Sequence, residues 1–255
     1  MRYTPSIVLS FVSLVTAREI SSNLQAFYDA HINEECPNAI SIAYDSGQAT
    51  SDTVYCQDAS GAVYLKDTKS GYADMDIDCD GLNADQGDCN NDPSGQSQTA
   101  FQDQVQAFGI SDLDAHIHTY VVLGNDNSAD GGDGGVSFDP QSVGIKPLSV
   151  VAVVCDGQLF YALWGDVNGG KSTGESSLAL GQLCFPDEGL TGDSGHEKHD
   201  VLYLAFPGNN AVPGASANWT AGSREEFEAS LAATGDALVA GLSSGSKTRV
   251  MRGRL

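Results

Sequence analysis

Positive charge is scarce in this sequence. Twelve Lys and Arg residues stand against thirty-four Asp and Glu residues, so the formal net charge is −22. Nucleic acid would be repelled by so acidic a chain, which excludes DNA and RNA as partners. A cationic partner would instead be concentrated near such a surface. An acidic surface that serves only solubility fits the same charge.

Long apolar runs are also missing, and no segment is long enough to span a membrane. The longest candidate is a short apolar core from Ile7 to Val15, which follows Arg2 and precedes small residues. This arrangement is typical of a cleaved secretion signal. We therefore predict a signal peptide over residues 1–17, secretion to the extracellular medium and no membrane partner. The rest predicts one domain over residues 18–245 and a basic tail over residues 246–255.

Cysteine spacings typical of zinc sites are absent, and no CxxC pair occurs. The chain has six cysteines: Cys36, Cys56, Cys79, Cys89, Cys155 and Cys184. An even number in a secreted chain predicts disulfide bonds. Cys79 and Cys89 are close enough to close the acidic loop between them. Cys155 and Cys184 each end an apolar run and could link neighbouring strands, which would leave Cys36 for Cys56. Six cysteines allow fifteen pairings, so the connectivity stays open.

Apolar periodicity predicts a mainly β (α+β) fold: a single domain with a β-barrel-like core, a few peripheral helices, long loops and disulfide staples. Helices are expected over residues 22–32, 98–108 and 223–242. Long loops are expected over residues 71–95 and 124–135. Strands are expected over residues 39–44, 62–66, 117–123, 148–155, 158–164, 178–185 and 201–206. The strand at 148–155 is almost wholly apolar and should therefore be central.

Two acids in the segment 158–186 form the main candidate catalytic site. An aromatic strand ends at Trp164 and delivers Asp166 into a loop rich in Gly and Asn, and Glu175 stands three residues before the next apolar run. Cleavage of a glycosidic bond requires two carboxyl groups that flank one sugar oxygen. The arrangement therefore favours a glycosidase, although a hairpin with two solvated acids would show the same spacing.

Three blocks of sequence resemble one enzyme family. They are WGDVNG with GESSLALGQLCF, then ADMDIDCDG with GDCNNDPSG and QTAF, and finally GDSGHEKHDVLYLAF. Together they are similar to the fungal chitosanases of glycoside hydrolase family 75, and they span most of residues 71–206. The resemblance implies endo-hydrolysis of β-1,4-linked glucosamine in chitosan, with inversion at the anomeric carbon. It implies that Asp166 and Glu175 are the two essential acids.

The two acids receive different roles from their surroundings. Glu175 is assigned as the general acid, because Glu starts with a higher pKa than Asp and the apolar run from Leu178 could raise that pKa by desolvation. Asp166 lies beside polar Asn168 and Gly169, so it should stay ionised and serve as the general base. The opposite assignment stays open, since the sequence does not show which face the sugar presents.

Three further acids, Asp76, Asp78 and Asp80, alternate along the chain. In a strand they would share one face and repel one another, so they need a cation, hydrogen-bond donors or a substrate amine beside them. We expect them to bind the amines of glucosamine. A calcium loop begins with the same pattern, but its twelfth position should be Glu and is Gly87 here. An irregular calcium site therefore stays open.

Three other residues complete the expected substrate site. Trp164 should stack on a sugar ring in the cleft, because it is the aromatic residue nearest Asp166. Asn168 should contact the substrate from the same loop. His196 should orient an acid in the cleft, with capping of a turn as the equal alternative.

The expected protein is thus an endo-chitosanase with chitosan as its partner, without metal or cofactor, and monomeric. Two alternatives remain from the sequence. A β-1,4-glucanase would use the same two carboxyl groups on a neutral polymer, and only contacts at the amino group would distinguish it. A non-catalytic secreted protein that binds calcium or carbohydrate would use the acids without chemistry.

Overall fold

The computed structural model describes residues 18–47, 51–126 and 137–242, so the predicted signal segment 1–17, most of the loop 124–135 and the tail 246–255 lie outside the described residues. Four α-helices are described: α1 Ser22–His31, α2 Gln102–Gln106, α3 Leu178–Cys184 and α4 Arg224–Ala240. The strands are β1 Thr53–Gln57, β2 Val63–Asp67, β3 Ala73–Asp78, β4 Tyr120–Asn125, β5 Val150–Cys155, β6 Gln158–Asn168, β7 Glu175–Ser177 and β8 His196–Ala205.

Strand pairing closes a ring. The strands follow the order β1-β2-β8-β3-β7-β4-β6-β5, and β8 also pairs with β5. Most pairs are antiparallel, whereas β3 with β7 and β4 with β6 are parallel. Strand β5 is buried along its whole length and has neighbours on both sides, so the prediction of a central strand is confirmed. A mainly β structure with a few helices is likewise confirmed.

All three predicted disulfides are confirmed, namely Cys36–Cys56, Cys79–Cys89 and Cys155–Cys184. The last bond joins the end of β5 to the end of α3 and so ties this helix to the ring of strands. Within the described residues, no helix is both long and apolar enough to cross a membrane.

The predicted strand at residues 178–185 is wrong, because this segment is helix α3. Ser177 caps the helix, and its Oγ accepts a hydrogen bond from the Leu180 amide. Most of the helix is buried, so its apolar run has no polar stripe from which a helical period could be read. The serine cap was the local signal that favours a helix.

Two other segments also differ from expectation. Residues 39–44 form no strand and make only isolated bridges, at Ala39 and Tyr44. Between these bridges the Tyr55 amide donates to the side-chain Oγ of Ser41, so a side chain replaces a backbone partner. The expected loop at residues 71–95 begins with strand β3, whose Asp residues alternate with buried apolar residues.

Candidate active site

An open cleft of about 590 Å³ lies where the ends of β3, β6 and β7 meet. Four carboxyl groups line it, from Asp78, Asp80, Asp166 and Glu175. Among the described residues, its lining contains no Lys, Arg, His or aromatic side chain. The cleft is therefore suited to a polar, positively charged ligand, and aromatic stacking does not contribute to its walls.

A bulge in β6 aims Asp166 into the cleft. Trp164 pairs with Val121 of β4, whereas Asp166 pairs with Val122, so Gly165 is the extra residue between them. A Cβ on Gly165 would lie 2.6 Å from the Cβ of Tyr120, and only glycine permits this close approach. Because side chains of neighbouring residues on β4 face opposite ways, the bulge sends Trp164 and Asp166 to opposite sides.

The Asp166 carboxyl group is held on one oxygen and open on the other. Oδ1 accepts hydrogen bonds from the Ala100 amide at 2.8 Å and the Val167 amide at 2.7 Å. Oδ2 is buried and has no hydrogen-bond donor among the described residues. Burial first, and then the charges of Asp80 and Glu175, raise the pKa of Asp166 to about 8. The free protein therefore keeps this acid protonated at neutral pH.

Glu175 begins β7 and lies partly exposed on the opposite wall. It follows Gly174, which has a φ of 92°. A Cβ at this position would lie 2.6 Å from Oδ1 of Asp74, so only glycine leaves room for that carboxyl group. The Asn168 side-chain amide donates to Glu175 Oε2 at 2.5 Å. Burial raises the pKa of Glu175 to about 7, with the charge of Asp76 adding to it and the Asn168 bond opposing it.

The two acids stand on either side of a single strand. Asp166 pairs with Val122 from β6, and β7 pairs with β4 through Val121 and Ser176. In this antiparallel pair the next residue of β4, Val122, lies opposite Glu175. Adjacent strands are about 4.8 Å apart, so the two backbones are separated by about 9.6 Å. A space wide enough for a sugar bond and a water molecule can thus lie between the carboxyl groups.

Asp78 and Asp80 close the cleft from the end of β3. One oxygen from each of them and one from Asp166 all lie within 4.8 Å of one another. The Tyr120 hydroxyl donates to the backbone oxygens of Asp78 and Asp80 and so holds this turn, but it does not reach the carboxylates. Burial raises the pKa of Asp80 to about 6 and that of Asp78 well above its ordinary value.

Asp76 lies beside the cleft rather than in its lining. It pairs in register with Glu175, and its carboxyl group is packed close to Gly47 and Gly195. Burial, followed by the charges of Glu197 and Asp45, raises the pKa of Asp76 to about 6. Its nearest functional effect is therefore electrostatic, through the neighbouring Glu175.

Trp164 does not serve the expected purpose, because it is 1 % exposed and has no ring face in the cleft. Its indole nitrogen donates to the backbone oxygens of Leu123 and Asp166, both at 2.9 Å, and its ring meets the edge of Phe101. The bulge at Gly165 is the reason for the difference. Trp164 supports the backbone of Asp166 from the core.

His196 also lies away from the cleft lining. Its Nδ1 contacts Glu188 at 3.0 Å, its Nε2 contacts Asp200 at 2.9 Å, and its ring stacks on Phe185 with centroids 3.7 Å apart. It pairs with Met75 on β3, so strand β3 lies between His196 and the strand β7 that carries Glu175. The histidine thus links β8 to the segment after α3.

Several groups at the site were missed from the sequence. The Ala100 amide holds Asp166, and the Gln96 amide donates to Asp80 Oδ1 at 2.5 Å. Tyr120 anchors the turn that carries Asp78 and Asp80. Two of these contributions come from backbone amides, which almost every residue type has, so the sequence does not reveal them. In the sequence, Tyr120 does not differ from an ordinary aromatic residue of a strand.

In the part of the chain that the structure describes, two groups of side chains have the chemistry to hold a cation. The first is Asp78, Asp80 and Asp166 in the cleft. The second combines Asp52, Asp67 and His199, and it is already organised by hydrogen bonds within the protein. There the His199 Nδ1 contacts Asp67 Oδ2 at 2.6 Å, and backbone amides donate to Asp67 Oδ1. In the first group, the buried Oδ2 of Asp166 has no donor among the described residues.

Comparison of the sequence with known proteins shows the family to which the chain belongs. Residues 75–241, which include all four acids of the cleft lining, match the family model described as fungal chitosanase of glycosyl hydrolase group 75. An endo-chitosanase of Aspergillus oryzae is 49% identical over 246 residues, which cover 95% of this chain and 99% of that protein. An endo-chitosanase of Aspergillus fumigatus is 48% identical over 244 residues, with the same shares of both chains. An endo-chitosanase B of Aspergillus oryzae is 46% identical over 246 residues, again with those shares. The chain therefore belongs to the fungal chitosanases of glycosyl hydrolase group 75, and it is a glycoside hydrolase.

Proposed function

We propose that this enzyme hydrolyses internal β-1,4 linkages between glucosamine residues of chitosan by a single displacement that inverts the anomeric carbon. Glu175 serves as the general acid and Asp166 as the general base. The observation that carries the proposal is the placement of these acids on either side of Val122. Their backbone separation of about 9.6 Å suits carboxyl groups roughly 6.5–9.5 Å apart, the range of inverting glycosidases.

The surroundings of Glu175 support its role as the acid. With a pKa raised to about 7 by burial, its carboxyl group keeps a proton in mildly acidic medium. Asn168 donates to Oε2, so the proton is left to Oε1 for delivery to the leaving oxygen. In the proposed site, Asn168 is therefore a residue that positions the general acid Glu175.

The role of Asp166 as the base needs a correction to the sequence argument. Asp166 was expected to stay ionised in polar surroundings, but it is 4 % exposed and its pKa is raised to about 8 by burial. It can act as the base only in a complex that removes its proton. Oδ2, which has no donor, is the oxygen that would accept the proton of the attacking water.

Charge supports chitosan over a neutral polymer. Asp78 and Asp80 are proposed to contact the ammonium groups of glucosamine, with Asp76 adding negative charge from the adjoining position. Glucan would cover four carboxyl groups without supplying a counter-charge, so it would leave Asp166 protonated and unable to act as the base. The relatives named above are endo-chitosanases, which agrees with this choice.

Secretion and the monomeric state are part of the proposal. Three disulfide bonds support an oxidising compartment, because such bonds persist in secreted proteins and are rare in the cytosol. The N-terminal residues 1–17 are proposed as the signal that directs the chain there, and peptide sequencing of the secreted enzyme checks the cleavage point. The monomeric state is a prediction that light scattering can test.

Product analysis tests the substrate and the stereochemistry together. Chitosan, chitin and carboxymethylcellulose are incubated with the enzyme, and the new reducing ends are followed by proton NMR. We expect short oligomers from chitosan, initially as the α-anomer, and little product from the other two polymers. Efficient cleavage of chitin or carboxymethylcellulose would contradict the substrate, and an initial β-anomer would contradict inversion.

A substrate with an activated leaving group separates the roles of the two acids. Such a leaving group needs little protonation, so Glu175→Gln should recover much of its lost rate on it. Asp166→Asn should not recover, because the water still lacks its base. Recovery of the Asp166 variant alone would reverse the roles.

A further inference from the structure

Three carboxyl groups meet at one end of the cleft with no positive charge among them. Asp78, Asp80 and Asp166 each place one oxygen within 4.8 Å of the others. Oδ1 of Asp166 already accepts two backbone amides, so the other oxygen, Oδ2, is the one left without a donor. Carboxyl groups this close cannot all ionise unless a proton or another cation lies between them.

Backbone amides donate to all three carboxyl groups and relieve their repulsion only in part, and the titratable groups around the cluster do not relieve it. Glu175 faces it from β7, and Asp92 faces it from the loop after β3. The Tyr120 phenol approaches from β4, but its hydroxyl donates to backbone oxygens. Every charged neighbour is thus an acid. Burial and this crowding raise the pKa of the carboxyl groups of the cluster, so below neutral pH the free enzyme holds a proton there.

We propose that an ammonium group of bound glucosamine takes the place of the proton shared by Asp78, Asp80 and Asp166, and that this exchange ionises Asp166 as the base. The inference rests on the proposed function, since it assumes that chitosan is the substrate. One carboxylic O–H bond breaks, its proton passes to the solvent, and the ammonium keeps its own three protons. The net charge of the site is unchanged, and no carbon bond is made or broken.

Whether Asp166 ionises then depends on whether the bound sugar is glucosamine or its acetylated form. An ammonium group brings a full positive charge and three N–H donors, one of which can reach the open Oδ2 of Asp166. An acetamido group brings one N–H and no charge, so it leaves the proton in place and Asp166 neutral. An acetylated residue at this position therefore prevents activation of the water, and selection acts on turnover as well as on binding.

Calorimetry measures the exchange directly. The Glu175→Gln variant, which should bind without cleaving, is titrated with a glucosamine tetramer at about pH 5, where both the amines and the cluster are protonated. The titration is repeated in buffers with different enthalpies of ionisation, and the slope gives the protons exchanged on binding. We expect the release of close to one proton for each tetramer bound.

Second-site variants show where the proton comes from. Adding Asp166→Asn should abolish most of the release while the tetramer still binds, because asparagine has no carboxylic proton to lose and its Oδ1 can still accept the Ala100 and Val167 amides. Adding Asp85→Asn is the matched control, since Asp85 is an exposed acid outside the cleft lining and should leave the release unchanged. Thermal unfolding of each variant verifies that it is folded.

Three results would overturn the inference. They are tight binding without proton release, release that persists in the Asp166 variant, and release caused by Ca²⁺ alone with loss of tetramer binding. The last would assign the site to a metal rather than to the substrate. Failure of the proposed function is seen separately, because the wild-type enzyme would then produce no reducing ends from chitosan.

Discussion

Two buried aspartates accept hydrogen bonds from neighbouring backbone amides, but they differ in their other hydrogen-bond donors. Asp112 accepts from the Thr99 amide, and Asp166 accepts from the amide of the next residue, Ala100. Both carboxyl groups are almost completely removed from solvent, with exposures of 0 % and 4 %. Burial is thus nearly the same for the two acids, and any difference in role must come from their partners.

The partners differ in number and in arrangement. Asp112 Oδ2 accepts from the Thr99 amide and the Gln102 side chain, and Oδ1 accepts from the Thr99 hydroxyl and the Leu113 amide. Asp166 has two donors on Oδ1 and none on Oδ2. A buried carboxylate with four donors is a structural cross-link, because each lone pair is satisfied. One with an open oxygen is unstable as an anion and available for proton transfer.

The largest expected effect is on turnover. Asp166→Asn and Glu175→Gln should each lower kcat on chitosan by about 10³-fold or more, since each removes a proton-transfer group. Asp112→Asn should change kcat of the folded enzyme by less than a few-fold. Initial rates at saturating chitosan check this contrast, and a comparable kcat loss in the Asp112 variant would abolish the distinction between the two acids.

Stability should show the reverse order. Asp112→Asn places an amide nitrogen against donors of the protein, and we expect a loss of about 2 kcal/mol in the free energy of unfolding. Asp166→Asn removes a carboxyl group that the folded protein must protonate at neutral pH at a cost in stability, so the variant should be as stable as the wild type or more so. Urea unfolding at neutral pH measures both. A destabilised Asp166 variant would mean that this carboxyl group also supports the fold.

A pH-dependent effect on stability is expected from Asp74, another buried acid with an oxygen that has no partner among the described residues. Burial and the charge of Asp76 raise the pKa of Asp74 from 3.8 to about 9. The folded state therefore holds a proton that the unfolded state loses, and its stabilising contribution falls as pH rises between these values. Asp74→Asn should reduce the fall in unfolding free energy by about 1.4 kcal/mol per pH unit in that window. Denaturation from pH about 5 to about 8 tests this, with exposed Asp103→Asn as the control, and an unchanged slope would contradict it.

The smallest expected effect concerns salt. If the acidic cleft attracts cationic chitosan through its field, raising ionic strength should raise KM roughly threefold and alter kcat much less. Steady-state kinetics at several salt concentrations measure the two constants apart. A KM that does not respond to salt would leave the local contacts of the cleft as the sole source of recognition.

Local chemistry allowed much of the site to be predicted. The positions of Asp166 and Glu175 at strand ends follow from the aromatic run before one and the turn before the other. The alternation of acids over residues 76–80 predicted a shared face, and two of them, Asp78 and Asp80, line the cleft together. The burial of Trp164 could not be predicted in this way, because in a strand without a bulge its side chain would lie on the same side as that of Asp166.

The sequence by itself determined the charge, the even number of cysteines, the resemblance to the family and the two candidate catalytic acids, because each depends on residue types and their spacing along the chain. Tertiary structure alone decided which acids meet. The bulge at Gly165, the burial of Trp164, the distance of His196 from the cleft and the open oxygen of Asp166 all depend on how β6 pairs with β4 and on how the end of β3 closes the cleft. Strand register is set by packing between residues far apart in the chain, so no local pattern contains it.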